Sequence, residues 1–134
     1  MIRLVASAWP EPSVSLDPGD CIHVTLTLEI DGAMQVLNDA CIRDWILFVA
    51  HALDDLVDAD SSASGLVHVK GARAHVRLAP NRPQLACDAR ELEAAFDAFL
   101  EGVESRVTTT YSGGAQWWAD ARERVARVHS DITL

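Results

Sequence analysis

Apolar and polar residues alternate without a break over residues 21–30, CIHVTLTLEI, with Ile22, Val24, Leu26, Leu28 and Ile30 on one side and Cys21, His23, Thr25, Thr27 and Glu29 on the other. A period of two is what a half-buried strand requires. Residues 2–9, IRLVASAW, read as an earlier strand, separated from it by the proline-rich loop PEPSVSLDPGD. A hairpin turn is expected at Asp31-Gly32. A two-residue type I′ loop there sets Gln35 opposite Leu28, whereas one more loop residue sets Val36 there, so the apolar phase favours a longer loop or a bulge.

The period then lengthens. Residues 40–59 form the strongest helix candidate, with Asn38 or Asp39 able to cap its start. Two strands flank Gly71-Ala72 in LVHVKGARAHVRL (66–78), and a shorter one covers QLAC (84–87) after the turn APNRP. Asp88-Ala89-Arg90-Glu91 has the form of a capping box, opening a helix whose core stripe is Leu92, Phe96, Phe99, Val103 and Val107 and which TTTYSGG ends. A last helix, 114–129, carries Trp118, Ala121, Val125 and Val128 on one face; of the adjacent Trp117 and Trp118, one is expected in the core and the other partly exposed. Hairpins mixed with helices predict a single α+β domain over residues 1–134, in the order β-β-β-α-β-β-β-α-α. The expected architecture is one antiparallel sheet of five to six strands with two or three helices packed on one face.

Composition narrows the classes. The chain of 134 residues carries 49% hydrophobic and 23% charged residues, an ordinary globular balance, with neither a long apolar run nor a leader-like start. That predicts a soluble, cytoplasmic protein that binds no membrane. Cys21, Cys41 and Cys87 are odd in number and not closely paired in sequence, which predicts reduced, buried thiols. Twenty acids against eleven bases give a net charge of −9. Nucleic acid is thereby disfavoured and a basic protein partner favoured, because phosphate contacts supply most nucleic-acid affinity. Charge is segregated by element: residues 66–87 hold Lys70, Arg73, Arg77 and Arg82 and no acid.

On a helical wheel of about 100° per residue, Ile42, Trp45, Ile46, Val49, Leu53, Leu56 and Val57 form a core arc. Asp44, His51, Asp54, Asp55 and Asp58 lie opposite, flanked by Leu47 and Phe48. Aspartates near a helix C-terminus oppose the macrodipole, and Asp54 and Asp58 repel one another at four-residue spacing. A surface that breaks local rules without structural gain is a candidate for function. This arc is therefore the expected partner-binding face, with the acids steering a basic partner and Leu47 and Phe48 as apolar anchor. DDLVD, Asp54 to Asp58, resembles the aspartate-rich magnesium motif of prenyl-transferring and terpene-cyclising enzymes. The resemblance spans five residues. Those enzymes are larger helical bundles with a second metal-binding helix, so the match is read as incidental and neither a metal nor a cofactor is expected.

If Gly71-Ala72 is a two-residue turn, Lys70 faces Arg73 and His68 faces His75, and His68, Lys70, Arg73, His75 and Arg77 share one sheet face as a secondary basic patch. Two opposed imidazoles flanked by cations can bind an anion, respond to pH, share a metal or divide acid–base work on a phosphodiester, although zinc normally needs three or four ligands. No phosphate-binding loop, dinucleotide fingerprint or nucleophile elbow is present, and DADSSASG (58–65) departs from a calcium loop at Ala63 and Val69. His23 and His129 have no evident partner.

In size and charge the chain is similar to bacterial immunity proteins that neutralise basic toxins, and less so to secretion chaperones. The expected function is an immunity or inhibitor protein acting on a basic toxin, with a nuclease as candidate partner. The alternatives are a metal-dependent or His-pair hydrolase acting on a phosphorylated substrate, and a structural subunit.

Overall fold

The computed structural model describes residues 1–13, 15–57, 62, 63 and 65–132, and side-chain surroundings for all of these except 54–57, 62, 63 and 127–132. The elements are β1 (Ile2–Ser7), β2 (His23–Ile30), β3 (Ala33–Cys41), α1 (Ile42–Val57), β4 (Ser62–Ala63), β5 (Val67–Lys70), β6 (Arg73–Val76), β7 (Leu85–Asp88), α2 (Ala89–Thr110) and α3 (Gly114–Ile132). The class is α+β, and every pairing between strands is antiparallel.

The strands do not form the single sheet of five to six expected. β1-β2-β3 make one sheet and β4-β5-β6-β7 a second. The division has a covalent cause. The segment that meets the outer edge of β3 is residues 78–83, where Pro80 and Pro83 lack the N–H groups a ladder needs. The contact is made by side chains instead. Gln35, buried on β3, accepts from the Leu78 N–H through Oε1 at 2.9 Å and donates to the Pro83 carbonyl through Nε2 at 2.6 Å. Arg82 Nη2 donates to the Val36 carbonyl beside it at 3.0 Å.

The first hairpin settles its register in a way the apolar phase did not indicate. Asp31 and Gly32 have φ of 49° and 91°, as a two-residue type I′ loop demands, and Leu28 faces Gln35. The loop is not lengthened. The extra residue enters later: Leu26 faces Leu37 and Val24 faces Ala40, so Thr25 opposes both Asn38 and Asp39 in a β-bulge, with Asp39 at φ 57°. The bulge reverses the alternation, so Gln35 before it and Ala40 and Ile42 after it are all buried. It also removes Asn38 and Asp39 from the capping role expected of them, because β3 runs on to Cys41 and α1 begins at the next residue.

The same hairpin corrects the reading of the cysteines. Cys21 precedes β2 and Cys41 ends β3, 20 residues apart in sequence but brought to a Cα separation of 5.5 Å, and they are joined by a disulfide. Only Cys87 is a free, buried thiol. Spacing along the chain could not show a pairing that the strand register creates.

The core lies between the two sheets and the helices. Asp88 caps α2, accepting from the N–H groups of Arg90 and Glu91 at 2.9 and 3.1 Å, and the predicted stripe Leu92, Phe96, Phe99, Val103 and Val107 is buried. α2 packs on β1, β6, β7, α1 and α3, while α1 packs on both other helices and on β3, β4 and β5. At the α2–α3 corner, a Cβ on Gly113 would collide with the Leu16 carbonyl and one on Gly114 with the Val107 carbonyl. Tyr111 donates to the Pro10 carbonyl at 2.5 Å and Trp117 to the Asp20 carbonyl at 2.8 Å, fastening the proline-rich loop to this corner. Trp117 is therefore as much a core residue as Trp118, where one of the pair was expected to remain partly exposed.

Removing the Gln35 amide strands a buried N–H and a carbonyl at the junction of the sheets. Gln35→Ala and the similarly long Gln35→Met are each expected to lower unfolding free energy by about 3 kcal/mol, measured by urea denaturation, because the loss is of hydrogen bonds and not of volume. A Gln35→Met variant as stable as the parent would show that the amide bridge contributes little.

Candidate functional site

Only the first half of the expected acidic face can be followed. Along the described side chains of α1, Asp44 is exposed, while Leu47, Phe48 and His51 are half-buried on the same side. Phe48 meets Trp45 edge-on, ring centroids 4.7 Å apart at 74°, and packs against the core. It offers an edge, not a whole ring. Asp54 and Asp55 belong to α1, but their side chains, with those of Leu56 and Val57, lie outside the described residues, as does Asp58 altogether.

A second acidic stretch escaped the sequence reading. Between α1, α2 and α3 lies an open cleft of about 360 Å³ bordered by Ala50, Leu53, Leu100 and Val125, with Asp97 and Arg122 at its rim. A neighbouring cleft of about 280 Å³ shares Asp97, Leu100 and Arg122 and adds Glu101, Glu104 and Trp118. The Arg122 guanidinium lies over the Trp118 ring at 6.0 Å. Among the described residues no ion pair reaches Asp44, Asp97, Glu101 or Glu104. Asp97, Glu101 and Glu104 recur at helical spacing around Leu100, a pattern visible in the sequence but overshadowed by the adjoining core stripe.

The basic hairpin has the register its turn predicts: His68 faces His75 and Lys70 faces Arg73. The imidazole centroids are 6.5 Å apart at 38°, and Val67, Val69, Ala74, Val76 and Leu78 fill the core side. Two details alter the patch. Arg73 also faces Asp88 across β6 and β7. Arg77 is committed to architecture, its Nε donating to the Gly65 carbonyl and its Nη1 to the Pro80 carbonyl, each at 3.1 Å. His75 Nδ1 is buried and meets no hydrogen-bond partner among the described residues. Among those residues no group of three or more His, Cys, Asp or Glu is placed to hold a metal ion.

His23, which had no evident partner in the sequence, acquires one through the bulge: its Nδ1 lies 3.1 Å from Asp39 Oδ1. Both line a small cleft with Ala8, Val24 and Thr25. Cys87 has the opposite setting, where burial pushes its thiol up to about 11. Among the described residues no helix is long and apolar enough to cross a membrane. Comparison of the chain with protein-family models, curated proteins and solved structures finds no match.

The hairpin cations are thus separable by stability. Arg77→Ala is expected to cost about 1 kcal/mol, after allowance for solvent screening of its two carbonyl contacts. Lys70→Ala and Arg73→Ala should each change unfolding free energy by less than about 0.5 kcal/mol. Equal losses at all three positions in thermal or urea unfolding would contradict the distinction.

Proposed function

We propose that the chain is a small acidic protein-binding domain of the immunity or inhibitor type, masking a basic surface on a cognate toxin, with a nuclease as the partner class its charge fits best. The observation that carries this reading is the meeting of uncommitted carboxylates with half-buried apolar side chains on the helical side: Asp44 beside Leu47, Phe48 and His51, and Asp97, Glu101 and Glu104 around Leu53, Leu100 and Val125. Carboxylates without an ion-pair partner among the described residues keep their hydration until a partner displaces it, and a net charge of −9 accelerates encounter with a basic protein. The apolar side chains supply the desolvated centre that charge alone does not provide. By the helical periodicity of the sequence, Asp54, Asp55 and Asp58 are assigned to the same proposed face.

A cytoplasmic location follows here from the function, since a nuclease endangers the nucleic acid of the cell that makes it. It draws no support from the thiols, two of which are bonded. The second reading, a His-pair hydrolase acting on a phosphorylated substrate, has in its favour the direct opposition of His68 and His75 beside Lys70 and Arg73.

The test begins with the basic C-terminal domain of any toxin encoded beside this chain, measured by calorimetry at two salt concentrations. Binding should weaken at least tenfold between 50 and 300 mM salt, by about 1.4 kcal/mol or more. The double variant Asp44→Lys with Glu101→Lys should weaken it about a hundredfold, while far-ultraviolet dichroism stays that of the parent and melting falls only by the few degrees that a reversed charge in the first turn of α1 costs. Binding indifferent to both salt and charge reversal would overturn the proposal. Phosphodiesterase activity lost in His68→Ala and His75→Ala would install the second reading.

A further inference from the structure

The disulfide has surroundings that a purely structural cross-link does not need. Cys41 is the last residue of β3 and directly precedes Ile42, the first residue of the 16-residue helix α1. The Ile42 N–H is used by the Ile22 carbonyl at 2.8 Å. Among the described residues no side chain caps α1, which leaves the N–H groups of its first turn and the positive end of its dipole beside Cys41. Across the ladder, Cys41 is paired directly with His23, whose Nδ1 lies near the Asp39 carboxylate. Directly opposed strand residues have Cβ atoms about 4.5 to 5.5 Å apart, so His23 and Cys41 project side by side from one face of the hairpin. Cys21 is an exposed residue and Cys41 a half-buried one directly before the helix, so Cys21 is the more accessible half of the bond.

We propose that Cys21 and Cys41 form a thiol–disulfide exchange centre in which Cys21 is the sulfur attacked and Cys41 the thiolate released. An external thiolate bonds to Cys21 Sγ; the Cys21–Cys41 bond breaks and its electron pair passes to Cys41 Sγ. A second external thiolate then attacks the outer sulfur of the mixed disulfide, freeing Cys21 as a thiolate. The external thiols, of the low-molecular-weight or protein-dithiol class, are oxidised to a disulfide, and the protein pair gains two electrons. Run backwards, the reduced pair opens a partner's disulfide.

The α1 N-terminus, and the His23 ring whenever it carries a second proton, favour negative charge on Cys41, and a better leaving thiolate departs faster. Arg43, whose Nη1 donates to the Gly19 carbonyl at 3.1 Å, adds a cation beside the loop carrying Cys21. The opposing charges are Asp44 in the first turn of α1, which is exposed to solvent screening, Asp20 in the preceding loop, and Asp39, whose carboxylate is paired with His23. Cys87 is the internal contrast: neither bonded nor exposed, it has no route to exchange.

The test follows alkylation of each cysteine by iodoacetamide, resolved by mass spectrometry, between pH 5 and 9. In the full chain after reduction, and in Cys21→Ser without reduction, Cys41 should react with a midpoint at least one pH unit below the roughly 8.5 of a free cysteine. His23→Ala should raise that midpoint by half a unit or more and His23→Gln by a similar amount, with melting of the oxidised variants unchanged. Cys87 should stay unlabelled at pH 8. When the oxidised protein meets reduced glutathione, the trapped adduct should sit on Cys21 at least tenfold more than on Cys41. A Cys41 midpoint in the ordinary thiol range, a midpoint indifferent to both His23 variants, or glutathione chiefly on Cys41 would each overturn the proposal.

Discussion

The Gln35 amide is the constraint on which the arrangement of the two sheets depends. A primary amide carries the donor and acceptor of a peptide group on a flexible stem, so it can do for two segments what a ladder rung does for two strands. Here it serves a segment that cannot be a strand, because two prolines interrupt it. The Leu78 N–H would otherwise be a buried polar group without a partner, costing about 1 to 3 kcal/mol, and the part-buried Pro83 carbonyl would lose its donor. One side chain satisfies both. Together with the Arg82 contact to the Val36 carbonyl and the helices packed on both sheets, this bridge holds the second sheet against β3.

What could be read from the sequence was whatever depended on local periodicity. The alternating face of β2, the stripe of α2, its Asp88 cap and the opposition of His68 to His75 all follow from rules that act over fewer than about a dozen residues, and all are found. What could not be read depended on register or on distant partners. A polar Gln35 in an apolar phase looked like an error to be absorbed by a longer loop or a bulge, when its role was set by residues more than forty positions away and the bulge lies further along the hairpin. The cysteines looked unpaired because their proximity is a product of the hairpin. Asp97, Glu101 and Glu104 form a surface only once α1 and α3 flank Leu100.

The segregation of charge noted in the sequence becomes a geometric one. The bases Lys70 and Arg73 lie on the outer side of the second sheet, while the uncommitted acids Asp97, Glu101 and Glu104 lie on the helical side. Mixed on one surface they would pair with each other and gain little, since exposed ion pairs contribute at most about 1 kcal/mol. Kept apart, they leave Asp97, Glu101 and Glu104 gathered along one side of α2. Arg122 borders the same clefts, and its place over Trp118 keeps its guanidinium at an aromatic face.

The β-bulge at Asn38 and Asp39 joins the folding problem to the chemical one. Without its extra residue, continued alternation would turn Ala40 and Ile42 away from the core, so the bulge is first required by burial. The same residue count decides which of Ala40 and Cys41 shares the outer face with His23, and the bulge selects Cys41. Its left-handed residue is an aspartate, tolerated at positive φ better than most side chains, and from there Asp39 reaches the His23 ring. A glycine would satisfy the backbone at least as well and leave the imidazole untethered. The choice of aspartate is thus unexplained by the turn and explained by His23, and the environment of Cys41 arises from a residue whose first duty is to keep a strand in phase.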